Sequence, residues 1–204
     1  MTAEWRETRA AFHAAADWFA TAVEKVGGRW SSPGLGEWDV RALVGHTSRA
    51  LLAVESYLAT PAPTVAVDSA VAYYHATREI ARGPGVAQRG RDAGSALGND
   101  PVSAVATIVD RVNTLVADRD GAELLTTIAG GMRLSDYLPT RVFELVVHTA
   151  DLCTALDQPA DPPPIAAALA LRLAGDLVVA DGRAADVLLA LCGRRPLPAG
   201  FTVL

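Results

Sequence analysis

The sequence predicts an all-α protein: an up-and-down four-helix bundle with a small helical appendage at its C-terminal end. Three observations lead there. Several long segments carry apolar side chains at helical spacing. The breaks between them fall at Gly and Pro clusters. Only one short segment, TTIAGGMRL at 126–134, reads as a hairpin or an extended loop, with β-branched residues on one side of a Gly-Gly pair. With 204 residues, 50% of them hydrophobic and 20% charged, the chain is long enough for one sizeable core. The bundle is expected over residues 1–156, and residues 157–204 form a short extension packed on it.

The elements follow in order. Residues 3–26 place Trp5, Phe12, Ala15, Ala16, Phe19 and Val23 on one helical stripe, which Gly27 and Gly28 end. After the loop RWSSPGLGEWD, Asp39 can cap a second helix from Val40 to about Ala59, stopped by Pro61 and Pro63. A third helix is expected over 67–82, ended by the GPG at 83–85. Residues 86–100 are polar and broken by glycine, and read as a loop that covers something or merely connects. Pro101 suits the first turn of a helix running to about Asp118. Ser135 is placed to cap a long helix through about Leu156, with Pro139 near its first turn. DQPADPPP at 157–164 breaks the chain, two shorter helices follow at 165–180 and 183–192, and the tail GRRPLPAGFTVL can return as a strand or a clasp.

Composition excludes several function classes. A formal net charge of −5 gives no footprint for nucleic acid or an anionic membrane. Lys25 is the only lysine; the other basic residues are arginines. The N-terminal segment has acidic residues and no apolar stretch of a secretory leader. The most apolar run, PIAAALALRLAGDLVVA, is interrupted by Arg172 and Asp176. Cys153 and Cys192 sit in apolar helical contexts and read as buried thiols of a reducing compartment. A cytoplasmic protein, monomeric or homodimeric, is expected. No phosphate loop, CxxC pair or nucleophile elbow occurs.

The chemistry gathers in RVFELVVHTADL, 141–152. Residues four apart on a helix lie one above the other, with Cβ atoms about 6 Å apart, so Glu144 and His148 can converge on one metal ion. A third ligand must come from another helix. Of the remaining histidines, His13 lies beside Phe12, and His75 follows Tyr73 and Tyr74 in a stretch expected near the surface. The Tyr pair itself reads as packing. His46 stands in an inward row with Leu43, Ala50, Ala53 and Tyr57. His46, Glu144 and His148 together give two imidazoles and a carboxylate, with coordination positions left open as a catalytic metal requires. Either feature alone has a plainer account. A Glu–His pair at this spacing is often a helix-surface pair, and a lone His on an apolar row is often a hydrogen-bonded core residue. Each supplies what the other lacks. Arg141 and Asp151 flank the pair, either as partners in ion pairs or as an anion contact and an orienting carboxylate, respectively.

EWDVRALVGH, followed about a hundred residues later by TRVFELVVHTADL, resembles the mycothiol-dependent maleylpyruvate isomerase family, within the wider DinB-like group of metal-binding four-helix bundles. Trp38 and His46 match its pattern at the start of the second helix. Arg141, Glu144, His148 and Asp151 match its R-x-x-E-x-x-x-H-x-x-D pattern on the fourth. The resemblance covers roughly residues 5–156. It implies a divalent metal, most often zinc, on His46, Glu144 and His148. It also implies a thiol cosubstrate such as mycothiol and a small electrophilic substrate, which would be S-alkylated or isomerised. The isomerase proper has a larger C-terminal domain, for which about forty residues after the Pro-rich break are too few. A second class, a metal- or ligand-binding bundle without turnover, uses the same residues.

Overall fold

The computed structural model describes residues 2–81, 83 and 85–204. Its helices are α1 (Ala3–Glu24), α2 (Val40–Leu58), α3 (Ala70–Ala81), α4 (Gly85–Ala96), α5 (Pro101–Ala117), α6 (Leu134–Ala155), α7 (Pro164–Ala180) and α8 (Ala184–Leu191). One hairpin, β1 (Leu124–Thr127) and β2 (Gly130–Arg133), pairs Leu124 with Arg133 and Thr127 with Gly130. The all-α expectation holds. Helices α1, α2, α5 and α6 close a four-membered ring in which α1 and α2 each pack on α5 and α6. Two aromatic contacts fix how α2 meets α6. The rings of His46 and His148 lie 4.8 Å apart, and those of Tyr57 and Tyr137 lie 5.4 Å apart. Advancing along one helix therefore means retreating along the other, so the pair is antiparallel.

The helix signals act as the sequence suggests. Thr2 and Asp39 accept from the backbone N–H groups of Trp5 and Ala42, and Asp100 accepts from Ser103 ahead of Pro101. The stripe of α1 is buried from Trp5 through Phe12 and Phe19 to Val23. Helix α7 lays Ala166, Leu169, Leu173 and Leu177 inward and packs on α1 and α6. None of the described helices is long and apolar enough to cross a membrane.

Several boundaries differ from the sequence reading. The third helix starts at Ala70 rather than 67, because the N–H groups of Ala66 and Val67 both bond to the Gly131 carbonyl, which holds that stretch against the hairpin. Its expected last residue, Arg82, and the Pro84 of its GPG stop lie outside the described residues. Ser135 does not cap α6. The helix starts at Leu134, and its first free N–H groups reach the carbonyls of Glu123 and Gly121 instead. Pro139 thus lies inside the helix, beyond the first turn. Cys192 is exposed, not buried, because no residue of the eight-residue α8 is buried; Cys153 is buried as expected. The tail returns as a clasp, with the Arg183 guanidinium 3.9 Å from the Phe201 ring centre and its NH1 group donating to the Thr202 carbonyl at 2.9 Å.

The largest difference is α4, where a glycine-broken loop was expected. Its glycines are spent on close approach rather than on turning. A Cβ on Gly45 would stand 2.1 Å from the Gly94 nitrogen, and one on Gly90 would stand 2.5 Å from the Trp38 indole nitrogen. The two backbones touch, so α4 is set by what it packs on rather than by its own helix propensity. Gly45→Ala is therefore expected to lower stability by about 1–3 kcal/mol, the usual cost of overpacking. Denaturant unfolding reads this directly, and an unchanged midpoint would mean that α4 does not seat on α2 as described.

Candidate metal centre

Three helices build the site. The ring of α2 and α6 brings His46 against Glu144 and His148, and α3 lies on α6 beside them. One ligand atom from each of His46, Glu144 and His148 lies within 4.8 Å of the others. His148 Nε2 is 3.2 Å from Glu144 Oε2. A tetrahedral zinc with ligands about 2.1 Å away has donor–donor edges of about 3.4 Å. The Glu144–His148 edge is already near that length, and His46 needs only a side-chain shift of about 1 Å. His46 Nδ1 is buried and has no hydrogen-bond partner among the described residues. An imidazole nitrogen left so is an unmet polar demand. The donor set, two nitrogens and one oxygen with no fourth protein ligand among the described residues, suits a divalent cation with open positions.

The surrounding groups hold these side chains in place. Asp151 Oδ2 lies 3.1 Å from His148 Nδ1, which fixes that nitrogen and leaves Nε2 facing Glu144. The Tyr74 hydroxyl lies 2.7 Å from Glu144 Oε1 and 3.2 Å from the Thr140 carbonyl. Its single proton goes to the nearer, charged acceptor. Burial, followed by the Glu144 charge, pushes the Tyr74 phenol well up, so it stays a donor. Trp38 stacks on His46 with ring centres 4.4 Å apart and is tied by its indole N–H to the Ala87 carbonyl of α4. Arg141 has no carboxylate partner within ion-pair distance among the described residues. Its Nε donates to Thr140 Oγ1, and its guanidinium lies 4.9 Å from the Tyr137 ring centre.

All of this opens on one cavity of about 840 Å³. His46, Ala50, Ala53 and Tyr57, four members of the inward row of α2, line it together. Ile80, Val86 and Ile128 close the sides, and Val203 and Leu204 of the returning tail form part of the wall. The two other histidines are elsewhere. His13 lies on α1 beside Phe12, and His75 is exposed, 3.1 Å from Asp181. Tyr74 was missed by the sequence reading, since nothing local distinguishes it from a packing aromatic. Arg49 was missed although its signal was available: it stands one turn after His46, on the same face of α2.

Charge is distributed unevenly over the cluster. Burial, then the nearby His148, takes His46 down to about 4, so it is neutral at pH 7 with a lone pair to give. Burial would lower His148 too, but its hydrogen bonds to Asp151 and Glu144 prevail and raise it to about 9. Burial would raise Glu144, yet the His148 hydrogen bond and the Arg141 charge bring it to about 2. A metal ion must therefore displace a proton from His148, and uptake at pH 7 is expected to release about one proton per chain. Calorimetry in buffers of different ionisation enthalpy measures it, and zero protons released would mean that His148 is not a ligand. In metal-free protein the Glu144–His148 pair stabilises fully between the unfolded-state values of 4.5 and 6.5. That stability is lost as pH rises through about 9 and as it falls through about 2. The thermal midpoint of metal-free protein should fall from pH 7 to 10, and by less in Glu144→Gln.

Comparison with known proteins identifies a family. No curated protein and no solved structure matches the chain. Residues 3–153, which hold the ring of four helices, the hairpin and every residue of the cluster, match the family described as mycothiol maleylpyruvate isomerase N-terminal domain. The chain belongs to that family.

Proposed function

We propose that this protein is a divalent-metal-dependent enzyme that uses a low-molecular-weight thiol, mycothiol or a close analogue, to attack a small electrophile. Residues 1–156 would carry the chemistry, with 157–204 as an extension that completes the cavity wall. The observation that carries the reading is the convergence of His46, Glu144 and His148 in the wall of a large cavity, with no fourth ligand among the described residues to close the set. Family membership supplies the thiol.

In this reading His46, Glu144 and His148 hold the ion, most favourably zinc given the nitrogen and oxygen donors. Such an ion, when bound, supplies the positive charge that keeps a thiol ionised near neutral pH. Asp151 keeps His148 turned with Nε2 inward, and Tyr74 keeps one oxygen of Glu144 occupied so that the other faces the cluster. Trp38 stops the His46 ring from swinging away. The apolar side chains around the cavity thin out water, which leaves the thiolate sulfur the better nucleophile. Its electron pair forms a carbon–sulfur bond. Where a leaving group departs with its bonding pair, or where the carbanion formed by addition to an alkene takes up a proton, the product is a thioether. With bond rotation and expulsion of the same thiolate, the product is a geometric isomer of the substrate.

Elemental analysis of protein purified without chelators or an affinity metal column should find about one zinc or similar ion per chain. Glu144→Ala should lose tight binding, and a variant that retained a full equivalent as tightly would remove Glu144 from the ligand set. The loaded protein should also speed the reaction of a thiol with monochlorobimane, and stripped protein should not. Full metal loading with no acceleration for any thiol would favour a binding module without turnover.

A further inference from the structure

Helix α7 buries one face on α1 and α6 and turns the other outward. On the outer face Ala168, Leu171, Gly175 and Val179 follow one another at steps of three and four, which makes them a single stripe. Leu171 is 73% exposed and Val179 66%. No residue of α7 lines the cavity, so this face is separate from the metal cluster and independent of the function proposed above.

The glycine in the middle of the stripe has no task within the chain. The other glycines in helix interiors all have one: a Cβ on Gly45, Gly90 or Gly94 would lie 2.1, 2.5 or 2.6 Å from the Gly94 nitrogen, the Trp38 indole nitrogen or the Arg41 carbonyl oxygen, respectively. A Cβ on Gly175 would meet nothing within 4 Å. Glycine inside an exposed helix weakens it relative to alanine. The close approach of a backbone from outside the chain accounts for it, as the backbone of α2 accounts for Gly94.

The neighbouring charges indicate which backbone. Arg172 and Asp176 lie together on one flank of the stripe. Asp176 has no ion-pair partner among the described residues. Arg172 reaches Glu7 with one NH2 group, at 3.1 Å, and keeps further N–H donors. A second α7 laid antiparallel on the first, with a two-fold axis at Gly175, sets Leu171 of each copy level with Val179 of the other. The axis also keeps both charged flanks on the same side of the seam. Along the helices, Arg172 of each copy then lies within about 3 Å of the level of Asp176 of the other. A parallel pair would set Arg172 on Arg172 and Asp176 on Asp176, like against like. The stripe is complementary to itself in the antiparallel sense alone, as an isologous interface requires.

We propose that a second copy of this chain docks on α7, antiparallel and with Gly175 at the crossing, to form a two-fold dimer. One helix pair covers less than the roughly 800 Å² per partner of a standard interface, so a dissociation constant of about 1–100 µM is expected.

Sedimentation velocity of the 204-residue chain at concentrations from about 1 to about 500 µM tests this. The unaltered chain should pass from monomer to dimer within that range. Leu171→Asp, Arg172→Asp and Asp176→Arg should each weaken the dimer about tenfold or more, with helix content by circular dichroism unchanged. An equimolar mixture of the Arg172→Asp and Asp176→Arg chains has opposite charges at both contacts again, and should dimerise where neither does alone. A monomer throughout the range, as when the face serves a different protein or a further segment of a longer chain, would overturn the proposal. So would a dimer that all three variants leave intact, or a mixture that stays as monomeric as its components.

Discussion

The Glu144 carboxylate is the constraint on which the rest of the site turns. It sits on a largely buried face of α6 and must stay ionised there, which costs far more than leaving it in water. Its two oxygens are therefore shared between a phenol from α3 and an imidazole one turn along its own helix. That imidazole needs Asp151 to stay in register, and the phenol needs α3 docked on α6. Arg141, one turn the other way, supplies the long-range charge. Remove any one of these, and the carboxylate either takes a proton or turns away. On the proposed function, a divalent cation would complete this set.

Much of this was legible in the sequence, for a physical reason. Two ligands four residues apart on one helix are local, and their geometry is fixed as soon as the helix forms. His46 could be chosen because few histidines compete and because a polar residue on an apolar row calls for an explanation. The hairpin at 126–134 announced itself through Gly130 and Gly131, and a Cβ on the latter would strike the Thr64 carbonyl at 1.9 Å. What was hidden depends on partners distant in the chain. The glycines of α4 read as breakers, because the backbone of α2 that needs them lies about fifty residues away. Tyr74 looked like any packing aromatic until α3 was placed against α6. Ser135 looked like a cap because no local signal shows that the carbonyls of Gly121 and Glu123 already fill that role.

The cavity also shows how a fold can hold arginine in its interior. Acidic residues outnumber basic ones in the chain, 23 to 18, and four arginines line the cavity. Guanidinium groups tolerate such placement better than ammonium groups because they are planar and weakly hydrated, and can lie over aromatic rings as Arg141 does over Tyr137.

The cluster of His46, Glu144 and His148 joins one local and one distant contact, and the two have different fates when the bundle loosens. Glu144 and His148 stay neighbours wherever α6 remains helical. His46 is 98 residues from Glu144 and reaches it only through the packing of α2 on α6. A swollen state that keeps its helices but loses side-chain packing would keep two donors and forfeit the third. The cluster is thus a gauge of tertiary order: its third donor departs while helix content is still intact.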